Sequence, residues 1–271
     1  MYYKAFAITH VGSVRENNED NYYLCGHYKH ETTQTEKSDT VVDALDECLF
    51  SVCDGMGGEE LGELASLIAV STLREFESRF DSQVGRYVAN ANRLICNEIM
   101  THGGKRIGTT FAALYVRDGT AHAYNIGDSR IYAFRDNELV QISKDHTHVQ
   151  NLVNMGVLSE TAARTHPERH KLTQHFGIFP EEMVIEPHAS EPFCVKSGDI
   201  FLLCSDGLTD MLSDAEISDV LRTKCSLEDR EQMLLSAALA RGGVDNITLI
   251  LAEMKRSSGI FARLKYRKKK T

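Results

Sequence analysis

Two apolar runs far apart in the chain end in the same way. Leu49-Phe50-Ser51-Val52-Cys53 leads into Asp54-Gly55, and Phe201-Leu202-Leu203-Cys204-Ser205 leads into Asp206-Gly207. A short run rich in Val, Leu, Phe and Cys belongs in a sheet, so each reads as a buried strand with a carboxylate at its end, and the Gly lets the backbone turn sharply. Two more acids keep similar company, Asp20 in Arg15-Glu16-Asn17-Asn18-Glu19-Asp20-Asn21 and Asp245 in Gly242-Gly243-Val244-Asp245-Asn246. A single Asp-Gly is an ordinary turn. Four carboxylates at element ends are either four turn residues or one site for a hard cation, and the second reading gains as the cases accumulate. Magnesium and manganese prefer oxygen ligands, and the residue types match.

The rest of the chain places these acids among alternating strand and helix patterns. Tyr3 to Val11 has β-type content, and the polar stretch from His27 to Asp46 reads as a loop or long hairpin tip. After Gly57-Gly58 a helix presents Leu61, Leu64, Leu67 and Ile68, with Phe76 and Phe80 further on. A second helix repeats Val84, Tyr87, Val88, Ala91, Leu94, Ile95 and Ile99 at three- and four-residue steps. Thr110 to Val116, Ala121 to Ile126 and Arg130 to Phe134 read as strands, the first two joined by Asp118-Gly119, a hairpin signal. Asp145 to Pro192 reads as short helices and a surface excursion, and Asp199 to Ser205 as a strand. Ser213-Asp214-Ala215-Glu216 and Ser226-Leu227-Glu228-Asp229 start two helices, and Asn246 to Met254 closes the body as a strand. Strands interrupted by a pair of helices in each half suggest an α+β arrangement of antiparallel sheets faced by helices rather than a repeating βαβ wind.

Composition narrows the function. The net charge of −9 conceals a tail, residues 255–271, with eight Lys or Arg and no acid, so the body before it is more acidic still. Such a body repels the phosphate backbone that supplies most nucleic-acid affinity, and no nucleic-acid partner is expected. No stretch approaches a membrane span and the start Met1-Tyr2-Tyr3-Lys4-Ala5 lacks a secretory pattern, so a cytoplasmic location is expected. The seven cysteines are scattered with no C-x-x-C pair; Cys48, Cys53 and Cys204 read as small core residues. His146-Thr147-His148 offers two imidazoles, but no third ligand at a zinc spacing accompanies them.

Arg15, Asp20, Asp54, Asp128, Asp206 and Asp245 together supply one fork-shaped cation and five carboxylates. The guanidinium suits a phosphate, and the acids suit two or three divalent ions. Paired metals acidify a water and clamp the oxygens of an in-line displacement at phosphorus, which points to phosphate-ester hydrolysis. Neither a Gly-x-Ser-x-Gly elbow nor a phosphate loop is present, and Gly55-Met56-Gly57-Gly58 lacks the dinucleotide-binding spacing.

The ordered set Arg15 to Asp20, Val52-Cys53-Asp54-Gly55-Met56-Gly57-Gly58, Gly108-Thr109-Thr110, Asn125 to Arg130, Asp145-His146-Thr147, Leu172 to Gly177, Ser205 to Asp210 and Asp245-Asn246-Ile247-Thr248 resembles the metal-dependent protein Ser/Thr phosphatases of type 2C, in their bacterial form. The resemblance runs from about residue 5 to residue 254. It implies a four-layer α-β-β-α sandwich of two antiparallel sheets flanked by helices, forming a catalytic domain over 1–254 with a mobile flap at about 144–190. It implies Mn2+ or Mg2+ as cofactor, two core ions and a third. Asp54 would bridge the core pair, with the Gly55 carbonyl on one ion and Asp206 and Asp245 on the other. Asp20 would act at the site directly or through water, Glu19 through water, and Asp128 with Asp206 on the third ion. Arg15 would bind the substrate phosphate, and a bridging hydroxide would attack phosphorus with no phosphoenzyme.

Two positions depart from the family pattern. Met56 stands where some members carry a His proposed as general acid, and Gln174, followed by His175, replaces the usual Arg. The implied substrates are phosphoserine and phosphothreonine in proteins, with a Ser/Thr kinase as counterpart; small phosphate esters, phosphohistidine or phosphotyrosine are the alternative, and an inactive scaffold of the same fold is a third. A monomer is expected. The tail over 255–271, where Ile260, Phe261, Leu264 and Tyr266 interleave with basic residues, reads as a solvated, disordered terminus, against contact with an anionic membrane or an acidic partner.

Overall fold

The computed structural model describes residues 2–30, 35–43, 47–57 and 61–255. One antiparallel sheet has the strand order β11 (Glu138–Gln141), β10 (Arg130–Arg135), β14 (Ile200–Cys204), β15 (Ile247–Lys255), β1 (Tyr2–His10) and β4 (Thr35–Asp43). A second runs β12 (His188–Ala189), β9 (Thr120–Ile126), β8 (Phe111–Arg117), β5 (Cys48–Cys53), β2 (Asn21–Leu24) and β3 (His27–Tyr28), with β13 (Phe193–Cys194) also paired to β9. Gly55–Met56 (β6) and Gly108–Thr109 (β7) form a small separate pair.

Strand alternation explains the four layers. In β1, Tyr3, Ala5 and Ala7 enter the core between the sheets, whereas Phe6 and Ile8 face helices on the outside. The register Tyr3↔Met254, Ala5↔Ala252 and Ala7↔Ile250 keeps the partner strand in phase. Across the gap, Cys48, Phe50 and Val52 of β5 meet this core, and Leu49 and Cys53 face the opposite helices. Both faces of the central strands are therefore buried, which is why their sequences read as nearly continuous apolar runs. The layers are α1 (Gly62–Leu73) and α2 (Val84–Thr101), the second sheet, the first sheet, and then α6 (Asp214–Leu221) and α7 (Leu227–Ala240). Phe50, Phe201, Tyr3 and Tyr22 are fully buried in the central layer, each contributing about 2 to 3 kcal/mol of hydrophobic stabilisation.

Local chemistry sets most of the element ends. Asp118 (φ 50°) and Gly119 (φ 76°) make the two-residue turn between β8 and β9 that their pair of residue types favours. Ser213 and Ser226 each form a capping box, with Glu216 and Asp229 respectively. Between β11 and β14 lie two short helices, α3 (His148–Asn154) and α4 (Glu160–Arg164), in the surface excursion expected there. Thr147 and Leu172 bridge across its base, and Arg130 grips Asp145 through Nε and Nη2 at 2.7 to 3.1 Å.

Three expectations change. Residues 35–43, expected as loop or hairpin tip, form β4, a nine-residue edge strand paired along its length with β1. Thr35, Lys37 and Asp39 alternate with the less exposed Glu36 and Ser38, so the strand period was present but carried by polar residues, as suits an edge. The buried face of α1 is Ala65, Ser66, Ala69, Val70 and Leu73, while Leu64, Leu67 and Ile68 stay partly exposed. Small side chains win that face because α1 lies close against the sheet and α2, where Tyr87 Oη donates to the Ala69 carbonyl at 3.1 Å. Third, Asp206 does not end in a turn but opens the short helix α5 (Asp206–Thr209) with Ser205 as its N-cap position. The basic segment 256–271 and Gly58 lie outside the described residues.

Candidate active site

The two Asp-Gly junctions come from opposite sheets and meet at one end of the sandwich. Phe50 and Val52 point toward the other sheet, so the next even position, Asp54, continues into the gap between the sheets as β5 ends. Its backbone is clamped to the neighbouring loop: Asp54 N–H donates to Thr110 Oγ1, and the Asp54 carbonyl accepts from Thr110 N–H and Thr109 Oγ1, all at 2.9 Å. The glycines do more than permit turns, for neither Gly55 nor Gly207 has a positive φ. A Cβ at Gly55 would collide with the Gly62 and Glu19 carbonyls, and one at Gly207 with the Asn246 carbonyl. Both are places where two backbones touch.

Asp20 is 1% exposed and sits in a hydroxyl cradle. Ser205 Oγ donates to Asp20 Oδ2 at 2.7 Å while accepting from Thr248 N–H at 3.0 Å. Thr248 Oγ1 lies 2.7 Å from Thr9 Oγ1, which accepts from Asn18 Nδ2 at 2.9 Å. Asn246 ties the acid-bearing loop to β15: its Nδ2 donates to the Val11 and Asn17 carbonyls and its Oδ1 accepts from Glu19 N–H. Behind the loop the buried Lys29 ammonium donates to the Asn18 carbonyl at 2.7 Å. The Glu19 carboxyl is raised by burial and accepts from the Gly62 N–H at the start of α1.

The five carboxylates are close enough to feel one another. Asp54 is pushed well above the usual carboxylate range by burial and by the charges of Asp20, Asp206, Asp128 and Asp245. Asp128 is also pushed well up, by burial and then by Asp206, and Asp20 to about 7, chiefly by burial. Arg15 lies at the rim, 53% exposed, its Nη2 donating to Asp245 Oδ2 at 2.7 Å. Asp20, Asp54, Asp128, Asp206 and Asp245 thus lie within electrostatic reach of one another, with Arg15 on Asp245 and Glu19 against Gly62, while among the described residues the ligand atoms that come within 4.8 Å of one another are those of Asp128, Asp206 and His170.

Facing Asp128 and Asp206, the flap adds groups that the motif reading did not assign. His170 Nδ1 lies 3.2 Å from Asp206 Oδ2, and its Nε2 lies 3.2 Å from Asp210 Oδ2. Arg169 Nη2 approaches the same Asp210 oxygen at 3.5 Å. Hydrogen bonding to the two acids raises the His170 ring to about 10. His170 stands 36 positions before Asp206 in an irregular segment, so no periodicity or spacing in the sequence marks it. A cavity of about 480 Å³ opens beside this cluster, lined in part by Asp128, Arg130, Asp145, Arg169, His170 and Asp206. The histidine pair considered for zinc is not assembled. His146 Nδ1 accepts from Gly127 N–H, while His148 Nε2 faces Glu168 at 3.6 Å. Gln174 and His175 are tied to backbone elsewhere, Gln174 Oε1 accepting from Glu186 N–H and His175 Nδ1 lying 2.7 Å from the Phe176 carbonyl oxygen.

Asp20, Asp54 and Asp128, raised chiefly by burial and further by neighbouring acids, offer the oxygen ligands that suit hard divalent ions. The fold and the site agree with what the chain is similar to. Residues 26–241 match the family model for protein phosphatase 2C. The chain is 32% identical over 257 residues to the protein phosphatase PhpP of Streptococcus pneumoniae, covering 91% of this chain and 96% of that one. A serine/threonine phosphatase from S. agalactiae superposes with a TM-score of 0.80 at 29% identity, covering 93% of this chain and all of its counterpart. The catalytic domain of the serine/threonine phosphatase PstP, solved with two manganese ions, superposes at 0.76 with 28% identity, covering 94% of this chain and 100% of that one.

Proposed function

The chain belongs to the protein phosphatase 2C family and is a protein-serine/threonine phosphatase, and from that premise we propose that it hydrolyses phosphoserine and phosphothreonine in a single displacement at the carboxylate cleft. The observation that supports this reading is Asp54, raised by burial and by the charges of four other acids near it. Asp54, the Gly55 carbonyl, Asp206, Asp245 and Asp20 would hold two Mn2+ or Mg2+ ions, Asp128 with Asp206 a third, and Glu19 would contribute through water. When bound, the ions supply charge neutralisation and a water acidic enough to attack phosphorus.

The chain's own groups fit a water nucleophile. Cys53 and Cys204, the thiols next to the two junctions, are fully buried and pushed up by that burial, which makes them inert. Ser205 donates to Asp20 and accepts from Thr248 N–H, so its hydroxyl serves the scaffold. Arg15 would anchor the phosphate: its bond to Asp245 uses one Nη2 contact of a fork with five N–H donors. Met56 has no proton to give to the leaving oxygen, so that proton would come from water in the cleft. The flap, pinned at Asp145 and Thr147, would gate access, and a Ser/Thr kinase and its targets are the partners expected from the substrate class.

The test is hydrolysis of a phosphothreonine peptide with Mn2+, followed by a chiral phosphorothioate ester to read the stereochemistry. Activity abolished by EDTA and inversion at phosphorus are expected. Full activity in excess EDTA would overturn the metal reading, and retention would overturn the single displacement.

A further inference from the structure

We propose that Lys29 is a positioning residue for the loop Asn18-Glu19-Asp20: its buried ammonium fixes the loop backbone from behind and so holds Asp20 and Glu19 ready for the core ions. The proposal rests on the reading of the cleft as a metal site. It adds a residue that lies outside every motif on which that reading was built.

The loop needs such support because it has no ladder. Between β1 and β2 the backbone is irregular, and a buried polar group left without a partner costs about 1 to 3 kcal/mol. Side chains take the place of a paired strand. Asn246 Nδ2 donates to the Asn17 carbonyl at 2.9 Å, and its Oδ1 accepts from Glu19 N–H at 2.8 Å. Ser66 Oγ on α1 donates to the Glu19 carbonyl at 2.6 Å, and Asn18 Oδ1 accepts from Asp20 N–H at 3.2 Å. The Asn18 carbonyl accepts from Lys29 Nζ at 2.7 Å. Among these side chains Lys29 alone is a cation, and a charge-assisted hydrogen bond is about twice as strong as a neutral one.

Lys29 is also built into the loop's surroundings. It is 3% exposed, although lysine is almost never buried so far without partners. Its backbone is locked to the residue that follows Asp20: Lys29 N–H donates to Asn21 Oδ1 at 3.1 Å, and its carbonyl accepts from Asn21 Nδ2 at 3.0 Å. Burial lowers the proton affinity of the ammonium, and the charges of Asp20, Glu63, Glu36 and Glu19 oppose that loss. These acids belong to the loop, α1 and β4, so one buried cation serves three elements that meet behind the cleft.

A lysine that only stabilised the fold would make the same contacts. The two roles differ in metal binding: groups that orient metal ligands change affinity by about 10- to 100-fold, whereas lost stability leaves the affinity of the folded molecules as it was. The experiment measures Mn2+ dissociation constants by titration calorimetry, kcat and KM on a phosphothreonine peptide at saturating Mn2+, and thermal melting. It compares wild type with Lys29→Met, which keeps an apolar stem, and Lys29→Arg, which keeps charge and donor. Lys29→Met should weaken Mn2+ binding about tenfold or more and lower kcat about tenfold, with KM changed less than about threefold because Arg15 stays on Asp245. Lys29→Arg should recover most of both losses. A folded Lys29→Met variant that melts lower but binds Mn2+ as wild type does would sink the proposal, as would a folded Lys29→Arg variant as weak as Lys29→Met. Either result leaves the phosphatase reading standing. A wild type that binds no Mn2+ would overturn that reading, and this proposal with it. If Lys29→Met does not fold, Lys29→Gln, which keeps an N–H donor without the charge, replaces it: weakened Mn2+ binding supports the proposal and wild-type affinity overturns it.

Discussion

The deep half of the cleft and its flap-facing half are both acidic, yet they deal with their charge differently. Asp20 and Asp54 are fixed by strand ends and neighbouring hydroxyls, Ser205 on one and the Thr109–Thr110 backbone and side chains on the other, and Arg15 reaches the group only at its rim through Asp245. Asp206 instead meets His170, and Asp210 meets both His170 and Arg169, side chains delivered by the flap. The deep half is held by backbone and hydroxyl contacts, with the Lys29 ammonium behind it and Arg15 at its rim; the outer half receives cationic partners from a separate segment of chain. Preorganised carboxylates with raised proton affinity favour tight ion binding, whereas a half completed by a surface excursion suits adjustment.

The sharpest way to break this contrast is a pair of variants. Asp54→Asn should lower manganese-dependent peptide hydrolysis on the order of 10³-fold or more, whereas Asp128→Asn should lower it about 10- to 100-fold, both measured as kcat/KM with the fold intact by circular dichroism. Equal losses would remove the distinction between the halves. Next, Gly55→Ala and Gly207→Ala force a Cβ into a carbonyl at each junction. Each should destabilise the protein by about 3 kcal/mol in urea, and a neutral result at either would show that its close backbone contact is slack. Ser205→Ala removes a donor to Asp20 and an acceptor for Thr248 N–H, with an expected loss of about 1 to 3 kcal/mol.

A last way to sharpen the contrast is the pH dependence of the metal-free protein. Asp20, at about 7 in the folded chain against an ordinary 3.8, binds its proton more tightly when folded. Its contribution is full below about pH 4 and is lost as pH rises through about 7. His170, raised to about 10, contributes fully below about 6.5 and loses that contribution as pH rises through about 10. Melting in EDTA should therefore decline in two windows, the first flattened by Asp20→Asn and the second by His170→Gln. A single window insensitive to either variant would merge the two halves.

Much of this was readable from the chain. Central strands buried on both faces leave continuous apolar runs, so Leu49 to Cys53 and Phe201 to Cys204 announced themselves, and Ser213 and Ser226 marked helix starts because capping is local. The edge strand β4 escaped because its period is carried by Thr, Glu, Lys and Asp, and solvent tolerates these on both faces. The face of α1 was misplaced because large apolar residues dominate a periodicity reading, while close packing selected Ala65, Ala69 and Val70.

By itself the sequence determined that acids would stand at the ends of apolar strands, what chemistry such acids serve, and which ordered motifs tie the chain to a phosphatase family. Only the tertiary structure decided that Asp54 and Asp206 arrive from opposite sheets, that the glycines after them serve backbone contact, and that His170 stands between Asp206 and Asp210. The reason is one of range. Hydrophobic burial and capping act over a few residues and leave a local pattern, whereas the meeting of a flap side chain with a strand end depends on how the two sheets stack, and no single stretch of sequence records that distance.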